Sequence, residues 1–203
     1  MKSLLQTTLF ALALLTAGIP AWAAVENGQP APDFTLTDTN GKSHTLLEHK
    51  GKFVVLEWFN PDCPFVKKHY QNSGNMPALQ KRNTDNDVVW LSINSSAEGK
   101  EGSYSADDTN KWAEMNKAKP TALLLDGDGK VGKLYGAKTT PHMFVINPAG
   151  ILIYQGAIDS TASVDHEDIP SSTNYVQQAL DEARAGKPVT TASTKSYGCS
   201  VKY

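Results

Sequence analysis

The sequence predicts a single α/β domain built on a mixed β-sheet, and two local patterns carry this prediction. Asn40-Gly41 lies between the alternating segments 34–36 and 43–46, an arrangement typical of a β-hairpin. Further along, the apolar run 53–59 leads directly into the helix-compatible segment 64–81. A buried strand followed at once by a helix is the repeating unit of α/β folds, so we expect a hairpin followed by alternating strands and helices.

The later elements follow the same alternation and then close the sheet with an antiparallel pair. Strands are predicted at 88–93, 122–125, 143–146 and 151–154, and helices at 106–117 and 171–185. The Gly-rich segment 126–129 and the Pro-containing segment 147–150 have the composition of turns. The polar residues after Gly186 are predicted to form a tail that either lacks regular structure or docks through Cys199.

The first residues have the pattern of a secretory signal peptide. Lys2 provides a basic start, residues 4–19 are mostly apolar, and Ala21-Trp22-Ala23 is a small-x-small cleavage pattern. The apolar stretch is shorter than the ~20 residues of a membrane-spanning helix, and an uncleaved anchor is the alternative. We therefore expect residues 1–23 to be removed and the protein to be exported to the periplasm.

The mature chain is long enough for a full hydrophobic core, with about 180 residues left after cleavage. We divide it into a main domain, residues 24–165, and a C-terminal helix and tail, residues 166–203. The net charge is −2 and no basic run stands out, so neither nucleic-acid binding nor stable membrane insertion is expected. The sequence makes no prediction of the oligomeric state.

The chain has 2 cysteines, and their positions define the predicted chemistry. Cys63 stands where the run 53–59 gives way to a helix beginning at Pro64, and the free amides and dipole of a helix N-terminus favour the reactive thiolate form. In an oxidising compartment both thiols tend to be oxidised unless a reducing partner acts on them. We expect Cys199 either to resolve an oxidised Cys63 or to pin the tail in a permanent disulfide, and pairing between two molecules is a third alternative.

One acidic residue, Glu57, lies within the otherwise apolar run 53–59. A carboxyl buried there has a raised pKa and is placed to relay a proton to or from Cys63. The alternative is a side chain that reaches solvent at the edge of the strand. We therefore count Glu57 with Cys63 and Cys199 as the candidate catalytic residues.

These residues, together with one later loop, resemble the thioredoxin superfamily. Glu57 stands six residues before Cys63, where thioredoxins carry a buried acid. Thr140-Pro141 resembles the cis-proline loop that lies against the reactive cysteine in that fold. The resemblance implies a thioredoxin-like fold, with a central mixed sheet flanked by helices, an N-terminal β-hairpin and a C-terminal helix plus tail.

Within that superfamily the chain is similar to redoxins of the alkyl hydroperoxide reductase and thiol-specific antioxidant type. The opening segment 31–36 and Cys63-Pro64 carry this similarity. The segments 62–67 and 198–203 resemble the two cysteine motifs of a peroxiredoxin-like branch. This closer resemblance implies thiol-dependent redox chemistry, and an antioxidant role belongs to the same expectation.

The chain also departs from the motifs of thioredoxins and of peroxiredoxins. Val66 stands where a thioredoxin has its second cysteine. Leu56 and Asn60 stand where peroxiredoxins have a proline and the hydroxyl that orients peroxide, and Arg82 and Arg184 are not placed like the catalytic arginine of those enzymes. The resemblance therefore implies a thiol-disulfide oxidoreductase or a weak thiol peroxidase.

The resemblance further implies a substrate groove beside Cys63. Its predicted lining residues are Pro61, Pro64, Thr140, Pro141 and His142. Because proline lacks an N–H group, the backbone near Pro141 is left free to pair with an extended polypeptide. The expected partner is a protein thiol or disulfide, or a small oxidant, and no cofactor is expected.

A non-enzymatic binding protein is the alternative from a different class. Cys63, His142 and Cys199 would form a soft-metal set suited to copper, and the Pro141 groove alone would suit a module that binds polypeptide. Met143 is predicted to belong to the core, and His69 is predicted to be an exposed helix residue.

Overall fold

The computed structural model describes residues 25–203, so the predicted signal peptide lies outside the described residues. The strands are β1 (Thr35–Asp38), β2 (Ser43–Thr45), β3 (Val54–Trp58), β4 (Val89–Asn94), β5 (Ala122–Leu125), β6 (Thr139–Thr140), β7 (His142–Ile146), β8 (Leu152–Gly156) and β9 (Cys199–Ser200). The α-helices are α1 (Pro64–Lys67), α2 (Asn75–Thr84), α3 (Ala106–Met115), α4 (Lys130–Tyr135) and α5 (Tyr175–Arg184). Short 3-10 helices cover Leu46–His49 and His166–Ser171. No helix within residues 25–203 is both long and apolar enough to span a membrane.

The central sheet is mixed, as predicted, and contains 7 strands in the order β2-β1-β5-β4-β3-β7-β8. Strands β3, β4 and β5 are parallel, which requires the helical crossovers that the sequence places between them. Strand β1 runs antiparallel to β5, and β7 runs antiparallel to both β3 and β8. The predicted hairpin, the alternation and the antiparallel closing pair are thus confirmed.

The sheet separates two apolar layers, and the central strand β3 contributes to both. One layer contains Cys63 and is covered by α2, α3 and α5, and it includes Val55 and Phe59, which lies just beyond β3. The other layer is covered by α4 and includes Trp58. Side chains alternate between the faces of a strand. Glu57 therefore lies on the same face as Val55 and Phe59, and its carboxyl enters the layer of Cys63.

The single helix predicted over 64–81 is wrong, because the segment is divided into three parts. Helix α1 continues into a π-helical turn, Lys68–Asn72, and the chain then bends before α2 begins. Ser73 donates its hydroxyl hydrogen to the Lys68 carbonyl at 2.8 Å, and Gly74 adopts a φ of 66°, which favours glycine. The π turn brings Lys68, His69 and Tyr70 inward together, so the exposed position predicted for His69 is also wrong.

Helix α4 was not predicted from the sequence, which indicates only a turn before it. The carboxylate of Asp126 holds its first turn by accepting the N–H groups of Val131 at 3.1 Å and Gly132 at 2.8 Å. A helix of 6 residues is too short for its periodicity to be recognised. Its start therefore depends on the Asp126 carboxylate, which lies three residues before the N-cap Gly129, and not on an amphipathic pattern.

The polar tail docks on the domain, which was one of the two predicted alternatives, the other being a tail without regular structure. Helix α5 buries Val176, Ala179 and Leu180 in the layer of Cys63. Beyond α5, strand β9 pairs antiparallel with β6. The C-terminal segment is therefore part of the same folded unit and reaches the cysteine.

Candidate functional site

Cys63 lies at the junction that the sequence predicts. It is the N-cap residue of α1, with Pro64 in the first helical turn. Its carbonyl accepts the N–H groups of Val66 and Lys67 at 3.0 and 2.9 Å, which begins the helix. The Cys63 side chain has 0% exposure, so this thiol is fully enclosed.

The sulfur atoms of Cys63 and Cys199 lie 2.7 Å apart, although 136 positions separate the residues in the chain. Both are free thiols in this structure. The Cys63 sulfur also lies 3.1 Å from the Thr140 carbonyl oxygen, within hydrogen-bonding distance. Because the two sulfurs are already in contact, a disulfide between them requires only a small adjustment.

The loop that contains Pro141 holds Cys199 in this position. The Thr140–Pro141 peptide bond is cis, which confirms what the family resemblance implied. Thr140 pairs with Cys199, and Thr139 pairs with Ser200. The edge expected to bind an extended polypeptide is therefore occupied by the protein's own tail.

A glycine allows this close approach. Gly198 precedes Cys199 and adopts a φ of 131°, a conformation that other residues rarely adopt. A Cβ atom at this position would overlap the Thr140 carbonyl oxygen. The pairing of β9 with β6 therefore depends on the absence of a side chain at Gly198.

Tyr197 anchors the tail on one side of Cys199. Its hydroxyl donates a hydrogen bond to the buried carboxylate of Asp159. His69 lies 3.3 Å from the same hydroxyl through Nε2, and its Nδ1 accepts from the Asn75 amide at 2.9 Å. These partners assign the neutral tautomer of His69 with its hydrogen on Nε2.

Tyr203 anchors the tail on the other side. Its hydroxyl donates to the Ala137 carbonyl at 2.8 Å, and its ring lies so close to Gly132 that a Cβ there would overlap it. The Lys202 carbonyl accepts the Ala97 N–H at 2.8 Å. With anchors on both sides, Cys199 is held over Cys63 by the fold even when no covalent bond joins them.

Glu57 is fully buried, so the prediction of an enclosed carboxyl is confirmed and exposure at a strand edge is excluded. Its Oε1 accepts from the Tyr70 hydroxyl at 2.7 Å, and its Oε2 accepts from Trp90 Nε1 at 2.7 Å and Ser92 at 2.8 Å. The Gln80 amide donates to Oε2 at 3.0 Å. Burial raises the pKa of Glu57, and these hydrogen bonds offset part of the increase.

His142 is buried as the first residue of β7, beside Trp58 of β3. Its Nδ1 accepts the Lys138 N–H at 3.2 Å, its ring packs against Phe144, and burial lowers its pKa to about 4. Met143 is fully buried, so its assignment to the core is confirmed. Within residues 25–203, no group of three or more His, Cys, Asp or Glu side chains is arranged to hold a metal ion.

The segment before Cys63 borders an open cleft of about 660 Å³ between α1 and α3. Pro61 and Asp62 form part of its wall. The Asp62 carboxylate accepts the Gly102 N–H at 3.0 Å and the Tyr104 hydroxyl at 2.9 Å. Of the residues predicted to line the groove, Pro61 therefore faces this cleft, whereas Thr140 and Pro141 lie beside the C-terminal tail.

Lowering the pH is expected to destabilise the fold partly through His69. Burial lowers the pKa of His69 from 6.5 to about 4, with Asp159 opposing this change and Lys68 adding to it. Between these pH values His69 binds a proton in the unfolded chain but not in the folded chain. The free energy of unfolding therefore decreases as the pH falls from about 6.5 to about 4. The full effect corresponds to about 3 kcal/mol.

We therefore expect His69→Gln to flatten this part of the stability profile. Urea unfolding of the wild type and the variant at several pH values measures the free energy of unfolding of each. The difference between the two free energies removes the contribution of titratable groups that both proteins contain. Parallel profiles between pH 6.5 and 4 would show that His69 does not titrate as its burial indicates.

Sequence reasoning missed three of the residues that hold the tail, namely Tyr197, Asp159 and His69. The one available signal was the position of Tyr197, an aromatic residue in a polar tail just before Cys199. Asp159 and His69 gave no signal, because their burial arises from a π turn and from contacts between distant segments. Of the predicted residues, the structure brings Cys63, Cys199 and Thr140 into contact.

The mixed sheet, the cis-Thr140–Pro141 bond and a cysteine at the start of the helix after β3 define a redoxin of thioredoxin-like fold. The model of the AhpC/TSA family matches residues 27–155, and the chain belongs to that family. Because the match ends at residue 155, Cys199 and the strand that carries it lie outside the matched segment.

Comparison with individual proteins agrees with this assignment. The chain is 28% identical over 144 residues to the thiol-disulfide oxidoreductase ResA of Bacillus subtilis, a match that covers 71% of this chain and 74% of ResA. An uncharacterized conserved protein from Geobacillus kaustophilus has 27% identity and a TM-score of 0.73, covering 88% of this chain and 92% of that one. A putative thiol:disulfide interchange protein DsbE from Chlorobium tepidum has 23% identity and a TM-score of 0.52, covering 65% and 85%, and shares the fold.

Proposed function

We propose that this protein is an exported thiol-disulfide oxidoreductase in which Cys63 and Cys199 interconvert between dithiol and disulfide. The observation that carries the proposal is the 2.7 Å contact between the two sulfurs at the start of α1. Closing the disulfide transfers two electrons and two protons to an oxidised partner, and opening it takes them from a reduced partner. Protein thiols and disulfides are the proposed partners, and a relative, ResA of Bacillus subtilis, is named for this activity.

Disulfide exchange is favoured over peroxide reduction by the surroundings of Cys63. Asn60 occupies the position of the peroxide-orienting hydroxyl, and its amide is already engaged, donating to the Glu101 carbonyl at 3.0 Å and accepting the Asp62 N–H at 2.8 Å. Arg82 and Arg184 are engaged elsewhere, with Asp181 and the Asn86 carbonyl. Any thiol peroxidase activity is therefore proposed to be weak.

Glu57 is proposed to support the exchange as a buried proton acceptor in the layer of Cys63. Residues 166–203 are proposed to form a functional part of the site, because they carry Cys199 to the domain formed by residues 24–165. Export rests on the pattern of residues 1–23, and periplasmic extraction followed by N-terminal sequencing tests it. A mature chain that begins at Ala24 is expected.

Mass spectrometry of the oxidised protein tests the redox pair. We expect a Cys63–Cys199 disulfide, lighter by two hydrogens than the dithiol, that opens in mild dithiothreitol and closes again with oxidised glutathione. Cys63→Ser and Cys199→Ser should each abolish the intramolecular bond and the turnover of a protein disulfide while retaining the folded far-ultraviolet dichroism.

Two results would contradict the proposal. A disulfide that stays closed in mild reductant would identify a structural cross-link, and turnover that survives Cys199→Ser unchanged would show that Cys199 takes no part.

A further inference from the structure

We propose that outside thiols open the Cys63–Cys199 disulfide by attacking Cys199, so that Cys199 carries the mixed disulfide and Cys63 is the leaving sulfur. This inference rests on the proposed function, because it requires that the two sulfurs form a disulfide. It assigns the contact with the partner to Cys199, whereas the sequence directs attention to Cys63 as the sulfur that meets the partner.

Access to the two sulfurs is unequal. An attacking sulfur approaches in line with the bond that it breaks, from the side away from the leaving sulfur, so accessibility decides which sulfur reacts. Cys63 is 0% exposed, packs within an apolar layer and has the Thr140 carbonyl oxygen 3.1 Å from its sulfur. With Cys199 on its other side, no outside sulfur reaches Cys63 in line unless the core opens.

Cys199 is on the accessible side of the pair. It is partly exposed, and Ser200, which follows it, is exposed. Strand β9 pairs with β6 in a sheet of 2 strands within the described residues, so β9 has one edge that this sheet does not cover. A donor sulfur therefore meets Cys199 first, with Cys63 lying beneath it.

The stability of the leaving sulfur favours the same direction. Attack on Cys63 would expel Cys199, whose pKa is raised mainly by burial. Sulfurs of high pKa leave slowly in thiol-disulfide exchange. Attack on Cys199 avoids that step, because Cys63 is then the sulfur released.

The exchange is balanced with two molecules of an outside thiol. The first thiolate forms a bond to the Cys199 sulfur, the bond between Cys199 and Cys63 breaks, and the electron pair passes to the Cys63 sulfur, which takes up a proton. A second thiolate then attacks the outside sulfur of the mixed disulfide and releases Cys199. The products are the dithiol protein and the oxidised donor disulfide.

Limited reduction with glutathione tests this assignment in the full oxidised chain. The protein is mixed with less than one equivalent of glutathione, quenched in acid after short times, blocked with N-ethylmaleimide and mapped by peptide mass spectrometry. At the earliest times we expect at least about tenfold more glutathione on the Cys199 peptide than on the Cys63 peptide, with N-ethylmaleimide on Cys63.

The same reaction in denaturing urea is the matched control, because unfolding exposes both sulfurs. There the preference for Cys199 should fall severalfold. Glutathione found mainly on Cys63, or a preference equally large in urea, overturns this inference and leaves the proposed function standing. A folded protein whose disulfide never opens overturns both.

Discussion

Gly198→Ala is expected to lower the equilibrium constant for closing the Cys63–Cys199 disulfide by about tenfold to a hundredfold. A Cβ at this position overlaps the Thr140 carbonyl oxygen, and the φ of 131° is one that alanine rarely adopts. Backbone strain of this kind costs about 1–3 kcal/mol, and 1.4 kcal/mol changes an equilibrium constant by about tenfold. Alanine relieves the strain when β9 lifts from β6, which moves Cys199 away from Cys63.

Titration against mixtures of reduced and oxidised glutathione, with the disulfide quantified by mass spectrometry, measures this constant. Gly186→Ala is the matched control: Gly186 also has a positive φ, of 70°, but a Cβ there meets no heavy atom within 4 Å. The control places alanine at a positive φ away from the site and should leave the disulfide constant near that of the wild type. Equal constants for the Gly198 variant and the wild type would show that the tail does not depend on this approach.

Glu57→Leu is expected to lower the free energy of unfolding by about 3 kcal/mol at neutral pH. Leucine fills a similar volume but accepts no hydrogen bond, so Trp90 Nε1 loses the partner that it has at 2.7 Å. Gln80 keeps the hydrogen bond that it already donates to the Tyr70 hydroxyl at 2.7 Å, so its amide is not left without a partner. The cost is therefore smaller than the sum over all the donors around Glu57.

Urea unfolding of the wild type, Glu57→Leu and Glu57→Gln measures the effect. Glutamine keeps one acceptor oxygen and should lie between the other two proteins. Since burial raises the pKa of Glu57 above 4.5, protonation contributes stability that is fully present below pH 4.5 and is lost as the pH rises through the folded pKa. The deficit of the leucine variant should accordingly be largest at low pH. A leucine variant as stable as the wild type would show that the polar network around Glu57 is dispensable.

The elements with strong local signals could be predicted from the sequence. The hairpin follows from Asn40-Gly41, and β3 with the entry to α1 follows from an apolar run that ends near Cys63 and Pro64. The π turn at Lys68–Asn72 could not be predicted, because its residues keep a helix-compatible spacing and their burial depends on contacts with distant segments of the chain. Helix α4 was missed for a different reason, since Asp126, whose carboxylate holds its first turn, looked like part of a turn.

For the site, the sequence alone determined that Cys63 begins a helix after a buried strand, that Glu57 lies inside that strand, and that Thr140-Pro141 resembles a cis-proline loop. Each of these depends on neighbouring residues, whose patterns are visible in the printed chain. Only the tertiary structure decided that Cys199 lies on Cys63, that His69 and Asp159 hold Tyr197, and that the tail fills the groove. Those contacts join segments up to 136 positions apart, and their register depends on how strands and side chains pack, which no local pattern encodes.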